Sequence, residues 1–479
     1  MSQFPLFVGG AYTSQSPIAD DEQLMNWYVE VMESPGAVTK ATLYPTPGFS
    51  AFSSTDSSGG RAMFSLNGRC FAIVNVTLYE ITSDGTATVR GTVATDGFPA
   101  TICGNGDAGE ELFITSGGVG YVYDLSSNTL TSKLPSGSAM AGMLDGYFVS
   151  LNPATSQFRI SGLNDGTTWN PTQFAARSIA PDAWTSMVVT SYGQIWLFGS
   201  QTSEVWYNAG TAPFPMAPDP SGLIPYGCAA RFSAKEAINR VVWLATSANG
   251  GFQVVEATGF TPTRISTHAV EYAISQYSDV SDALADVYES QGHLFYVLTF
   301  PTAQATWVYD FTTRLWHERG SWDSPTSTWK ALRTMFGCTA FNKRLVADRQ
   351  GGSIYSQSIT LTEDAGGGLI RRVRRSPAVF AEHQRVRFSD IEVFLESGLG
   401  TTSGQGVNPQ VTLRSSNDGG KTWGNERSVS AGAQGDYRTR VRFRRLGISR
   451  DRVFEMSVTD PIPWRIVDAF MTVAVARTS

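Results

Sequence analysis

Apolar and polar positions along this chain fall into short alternating runs separated by turn-forming residues. Phe71 to Glu80, Glu111-Leu-Phe-Ile114, Gln194-Ile-Trp-Leu-Phe198, Val241-Val-Trp-Leu244 and Leu294-Phe-Tyr-Val-Leu298 are β-branched or aromatic. Gly, Asn, Asp or Ser bounds each of them, which is the pattern of strands joined by tight turns. The runs also repeat. Leu78-Tyr79-Glu80-Ile81, Val122-Tyr123-Asp124-Leu125 and Val308-Tyr309-Asp310-Phe311 share an aromatic followed by an acid, and Ile354-Tyr355 is a weaker copy. The step is 44 residues from Tyr79 to Tyr123 and 46 from Tyr309 to Tyr355. The intervening 186 residues amount to about four such steps, with strand marks at Phe158, Trp206 and Val255. A period of about 40–50 residues is that of propeller blades. The spacing therefore predicts an all-β fold built on a β-propeller of about seven blades. One misread mark would make it six or eight.

One stretch carries helical spacing. Between Ser266 and Tyr288 apolar residues stand at Val270, Ala273, Ile274, Tyr277, Val280, Leu284 and Val287, with Ser266 or Thr267 placed to cap the start. This predicts a helical insertion near 266–288, divided at Ser278. The organisation that follows is an acidic N-terminal arm over 1–50, a propeller over 51–365, and a C-terminal β-domain over 366–479. A flexible linker is expected at Asp364-Ala-Gly-Gly-Gly368. Alternation in Asp390-Ile-Glu-Val-Phe-Leu395, Gln410-Val-Thr-Leu-Arg414 and Arg440-Val-Arg-Phe-Arg444 marks half-buried strands, so the last hundred residues predict a β-sandwich-like unit.

Composition supports a globular chain of 479 residues with 42% hydrophobic and 12% aromatic content. No run approaches the roughly 18 apolar residues of a membrane helix. The opening Met-Ser-Gln-Phe-Pro has no basic n-region, so no secretory leader and a cytosolic origin are expected. Four dispersed cysteines (Cys70, Cys103, Cys228, Cys338) and four dispersed histidines (His268, His293, His317, His383) show no metal-ligand spacing, which predicts buried thiols and no cofactor. Charge is uneven. From Ile370 onward there are 18 Lys and Arg against 11 Asp and Glu, net +7; the rest holds 18 basic and 31 acidic residues, net −13.

Candidate chemistry is sparse. No phosphate-binding, nucleophile-elbow or zinc motif occurs, and Asp20-Asp21-Glu22 reads as solvated charge. Ser416-Asn-Asp-Gly-Gly-Lys-Thr-Trp423 has the Asp-box pattern. Ser416 and Asp418 are placed to bond turn amides, Gly420 allows the bend, and Trp423 packs beneath it. This is a folding device, resembling turns of sialidases. Two arginine runs are candidate contact sites: Arg371, Arg372, Arg374 and Arg375, then Arg438, Arg440, Arg442 and Arg444. Alternate residues of a strand share a face, so the second set predicts four guanidinia on one side with Val441 and Phe443 inward. Such a face suits a solvated or internally ion-paired edge, an acidic protein partner, or DNA phosphates.

Taken in order, Ser161-Gly-Leu-Asn-Asp-Gly-Thr-Thr-Trp169, Phe174-Ala-Ala176, Pro181-Asp182, Gly193-Gln-Ile-Trp-Leu-Phe-Gly199, Thr202-Ser-Glu-Val-Trp206, Tyr226-Gly-Cys-Ala229, Gly259-Phe-Thr-Pro262 and Arg264-Ile-Ser-Thr-His-Ala-Val270, with Asn26-Trp-Tyr-Val-Glu30 before them, resemble the packaged-DNA stabilisation proteins, or tail accessory factors, of short-tailed bacteriophages. The resemblance implies a non-enzymatic virion tail protein without cofactor. It further implies a homo-oligomeric, hexameric ring, the tail nozzle, below the portal and the head-to-tail adaptor, beside tail fibre, spike or needle proteins. Double-stranded DNA would pass through its lumen without sequence readout. The alternative is a glycan-binding or glycan-hydrolysing, sialidase-like propeller, motivated by the Asp-box turns and by Trp322 and Trp329.

Overall fold

The structure is a computed structural model that describes residues 2–3, 7–56, 59–177, 180–246, 250–380 and 384–475. Seven four-stranded antiparallel blades surround an axis. Blade I runs from Gly60–Leu66 to Ala87–Thr92, blade II from Thr101–Gly104 to Thr129–Leu134, blade III from Met140–Leu144 to Phe174–Ala176, and blade IV from Trp184–Val189 to Met216–Ile224. Blade V has Gly227–Cys228 and Lys235–Glu236 innermost and ends at Thr261–Arg264. Blade VI runs from Leu284–Ser290 to Leu315–Glu318, and blade VII from Thr334–Ala340 to Ser353–Ser358. The innermost strands of neighbouring blades touch all the way round, and blade VII meets blade I. All seven marks read from the sequence (Tyr79, Tyr123, Phe158, Trp206, Val255, Tyr309 and Tyr355) lie on the third strand of their blades. Tight hairpins such as Asn67-Gly68 and Asp145-Gly146, both with positive φ, join first to second strands.

The helical expectation over 266–288 is only partly met. A helix spans His268–Ser275, with the Thr267 hydroxyl accepting from the Val270 amide and Ala269, Val270 and Ile274 buried. The Asp279 carboxylate then takes the Ser281 amide and hydroxyl in a turn, and Leu284–Ser290 is the inner strand of blade VI. It pairs antiparallel with His293–Phe300, so its backbone groups are taken up by the blade.

The described residues before position 50 do not form a separate arm. Gly48–Ser54 is the outer strand of blade VII, paired with Ser353–Ser358, so the two ends of the propeller close one blade. Trp27–Val31 and Ala41–Pro45 extend a sandwich sheet made of Val441–Ser449, Val386–Leu395 and Ile466–Val475. Leu24–Met25 is inserted between Leu315–Glu318 of blade VI and Arg372–Arg375. The second sandwich sheet, which continues through Asp451–Val458, Gln410–Ser416 and Arg427–Ser430, is thereby hydrogen-bonded into a propeller blade. The reason is apolar content: Phe7, Leu24, Trp27, Val29 and Leu43 join Trp316, Phe454, Trp464 and Ile466 in one core. Asn26, at φ +60, turns the chain between its two sheets. Its amide donates to the Gly320 and Arg371 carbonyls, and its oxygen accepts from the Gly320 amide. The expected linker is a closed turn, with the Asp364 amide bonded to the Gly368 carbonyl and Ala365 buried.

Candidate interaction surfaces

The first arginine run faces inward, which removes most of it as a contact site. Arg372 and Arg374 are 1% and 0% exposed. Arg374 donates to the carbonyls of Phe7, Gly10 and Gln23 and to Glu22. Arg375 pairs with Asp21 at 2.7 Å and Glu455 at 2.9 Å. Arg371 lies 4.1 Å from the centre of the Trp322 ring. The Asp20-Asp21-Glu22 cluster, which reads as solvated, is thus the ionic counterpart of this run. Burial, the largest influence, raises the pKa of all three carboxyls, and the arginines oppose it.

The Asp-box turn belongs to the same assembly. Ser416 Oγ donates to Asp418 at 2.6 Å and accepts the Gly420 amide, while Asp418 takes the Thr422 amide. Hydrogen bonds from Ser416 and Thr422 pull the Asp418 pKa down to about 2. Gly420 has φ +86, and a Cβ there would stand 2.2 Å from Asp21. Trp423 is half-buried, and its ring stands 3.7 Å from where a Cβ on Gly420 would be. It lies between Arg375 and Arg414, 5.0 and 4.7 Å from its ring. Turn and arginines together cradle the N-terminal segment.

The second run divides. Val441 and Phe443 are buried and the arginines face outward, as alternation requires. Arg440 forms a two-bond pair with Glu392, and Arg442 pairs with Asp390 at 2.9 Å. These are internal ion pairs. Arg438 is exposed in a turn before the strand, and Arg444 is exposed opposite Asp390.

Sequence reasoning missed a buried ionic node between blade VI and the strand Trp27–Val31. His293, 3% exposed, bonds Asp310 through Nδ1 at 2.7 Å and Glu30 through Nε2 at 2.8 Å. Burial lowers an imidazole pKa, but the bonds to Asp310 and Glu30 outweigh it, and the net shift is upward. The signal lay in Glu30 and Asp310 of two quoted motifs, separated by 280 residues. Among the described residues no cluster of His, Cys, Asp and Glu could hold a metal. Trp322 and Trp329 pack edge to face at 5.0 Å and are half-buried, with Arg371 over the Trp322 ring. Along the axis, a cavity of about 500 Å3 is lined by Met63, Met140, Met143, Met187, Lys235 and Asp286 among others. That is the size of a small-molecule pocket.

Two family models match this chain: bacteriophage P22 Gp10, beta-propeller, over residues 2–360, and bacteriophage P22 Gp10, beta-sandwich, over residues 371–474. The chain belongs to the P22 Gp10 family. Gp10 is the tail-nozzle and DNA-stabilisation protein of the phage tail, so this member is a structural virion protein of a phage tail. The Gp10 propeller match begins at residue 2, in keeping with the N-terminal strands that complete both domains. No curated protein matches. Solved structures are distant: the N-terminal domain of Nup159 (9% identity, TM-score 0.43, covering 70% of this chain and 98% of that one) and BamB from Moraxella catarrhalis (10%, 0.38, 69% and 96%). These likenesses carry no functional argument for the Gp10 chain.

Proposed function

We propose that this chain acts as a non-catalytic duct: identical subunits close into a ring, six in number by family resemblance, below the head-to-tail adaptor. Packaged DNA is held behind the ring and leaves through its lumen. The observation that carries the reading is the paired propeller and sandwich match over nearly the whole chain. Duplex DNA, whose major groove alone is about 12 Å wide, does not thread a propeller axis whose cavity of about 500 Å3, spread along inner strands roughly 20 Å long, averages only about 6 Å across. The passage therefore lies between subunits. The net charge of −13 outside the C-terminal region repels phosphate, which lets DNA slide without adhering.

The test is to prepare phage heads without this protein and measure DNA retention before and after adding the purified chain, with micrographs of the product. Restored retention and a ring at the tail are expected. Full retention without the protein, or its absence from mature virions, would overturn the reading.

A further inference from the structure

One end of the sandwich carries positive charge that the fold leaves unanswered. There the strands Val386–Leu395 and Val441–Ser449 slip register between Phe388 and Asp390. The slip is a bulge, a device that re-aims side chains. Arg445 sits in it at φ +56, a left-handed conformation that non-glycine residues hold only when their surroundings impose it. Arg427 imposes it by donating to the carbonyls of Arg444 and Arg445 at 2.9 and 3.2 Å. A cavity of about 480 Å3 opens at the bulge between Arg387, Asp390, Arg444, Arg445 and Ile448.

The acids do not balance this cluster. Asp390 already serves Arg442 and Thr472. Arg387, Arg445 and Arg450 are exposed, and none forms an ion pair among the described residues. They contrast with Arg375, Arg414, Arg440 and Arg465, each of which has a carboxylate. Exposed apolar groups accompany the arginines: Ile448 at 47%, Val475 at 57% and Phe380 at 66%. Register places them at the same end, with Ile448 opposite Arg387, Val475 opposite Val386, and Phe380 opposite Asp451 beside Arg450. Apolar groups ringed by arginine fit a protein surface rather than a phosphate backbone, which is contacted through polar groups.

We propose that this end of the sandwich docks on the acidic propeller of a second copy of the chain. The charge imbalance supports that occupant, since the C-terminal region is net +7 while residues 51–369, with 17 basic against 26 acidic residues, are net −9. Self-pairing of the arginine ends would set like charges together. The contact is thus heterologous, the kind that closes subunits into a ring. It rests on the ring reading above and assigns the surface that makes the ring.

The experiment places a photo-crosslinking amino acid at position 448 in chains assembled into virions. A product joining two copies, with the acceptor peptide within residues 51–365, is expected. Crosslinking to DNA or to a different virion protein, or no crosslink at all, overturns the proposal. Failure of the chain to enter virions would instead overturn the ring reading. A second variant, Arg387→Glu/Arg444→Glu/Arg445→Glu, should reduce assembled rings at least tenfold with an unchanged circular dichroism spectrum. Normal assembly of that variant overturns the assignment.

Discussion

At the residue scale the arginines separate into those that hold the fold and those that do not. Arg374 is buried and fully engaged, so Arg374→Ala removes its donors to Glu22 and to the carbonyls of Phe7, Gly10 and Gln23, of which Gln23 keeps the Arg375 amide. Breaking a buried pair from one side costs about 3–5 kcal/mol. Arg440, whose side chain is 62% exposed, pairs in solvent, where screening leaves an ion pair little to contribute. Denaturant titration of Arg374→Ala and Arg440→Ala should show that contrast. Two groups on the propeller–sandwich seam also set a pH dependence. Glu318, half-buried beside Met25, has its pKa raised by burial to about 7 from 4.5, and His293 is raised above 6.5. A raised folded pKa gives stability that is complete below the ordinary value and lost as pH rises through the folded one. The buried His317, held well below 6.5, contributes the opposite slope up to that pH, so the measurement is a difference: relative to Glu318→Gln/His293→Gln, the parent chain should lose melting temperature between pH 5 and pH 8.

Among the elements, the outer strand of blade VII decides whether the ring of blades is complete. Without Gly48–Ser54, the backbone of Ser353–Ser358 has an open edge. Removing residues 1–54 is expected to yield aggregated or protease-sensitive protein, read by limited proteolysis against the full chain. This is also where legibility in the sequence ends. Blade marks recur once per blade, always on the third strand, so Tyr79 to Tyr355 could be counted from spacing alone, although Tyr123 packs on Phe71 of the preceding blade at 5.5 Å and Phe158 on Trp206 of the following one at 5.3 Å. Helical spacing misled over Leu284 and Val287 because two apolar positions of a strand coincided with a 3.6-residue period. The Arg371 to Arg375 run reads as surface because arginine is seldom buried without a partner, and its partners Asp21 and Glu22 lie some 350 residues earlier. Strand alternation, by contrast, placed Val441 and Phe443 inward correctly. The bulge at Arg445 left no local signature.

For the whole molecule, the shared sheet from blade VI into the sandwich and the common core make the two domains one mechanical body. Calorimetry should give a single unfolding transition, where two domains joined by a flexible linker would give two. Asn26→Ala, which removes three hydrogen bonds across the seam, should lower that transition without splitting off a separate sandwich melt.

The strand Gly48–Ser54 has a consequence for how the protein is made. Its partner Ser353–Ser358 leaves the ribosome about 300 residues later, which at about 5–20 residues per second is a delay of roughly 15–60 s. Throughout that interval the first strand has nothing to pair with, and the sandwich strands Trp27–Val31 and Ala41–Pro45 wait longer still for Ile466–Val475. A chain terminated before Ser353 can close neither its last blade nor its sandwich, and one terminated before Ile466 still lacks the sandwich. Translation to the end thus becomes a proofreading step: only a finished polypeptide acquires the shape that can take a place in the particle.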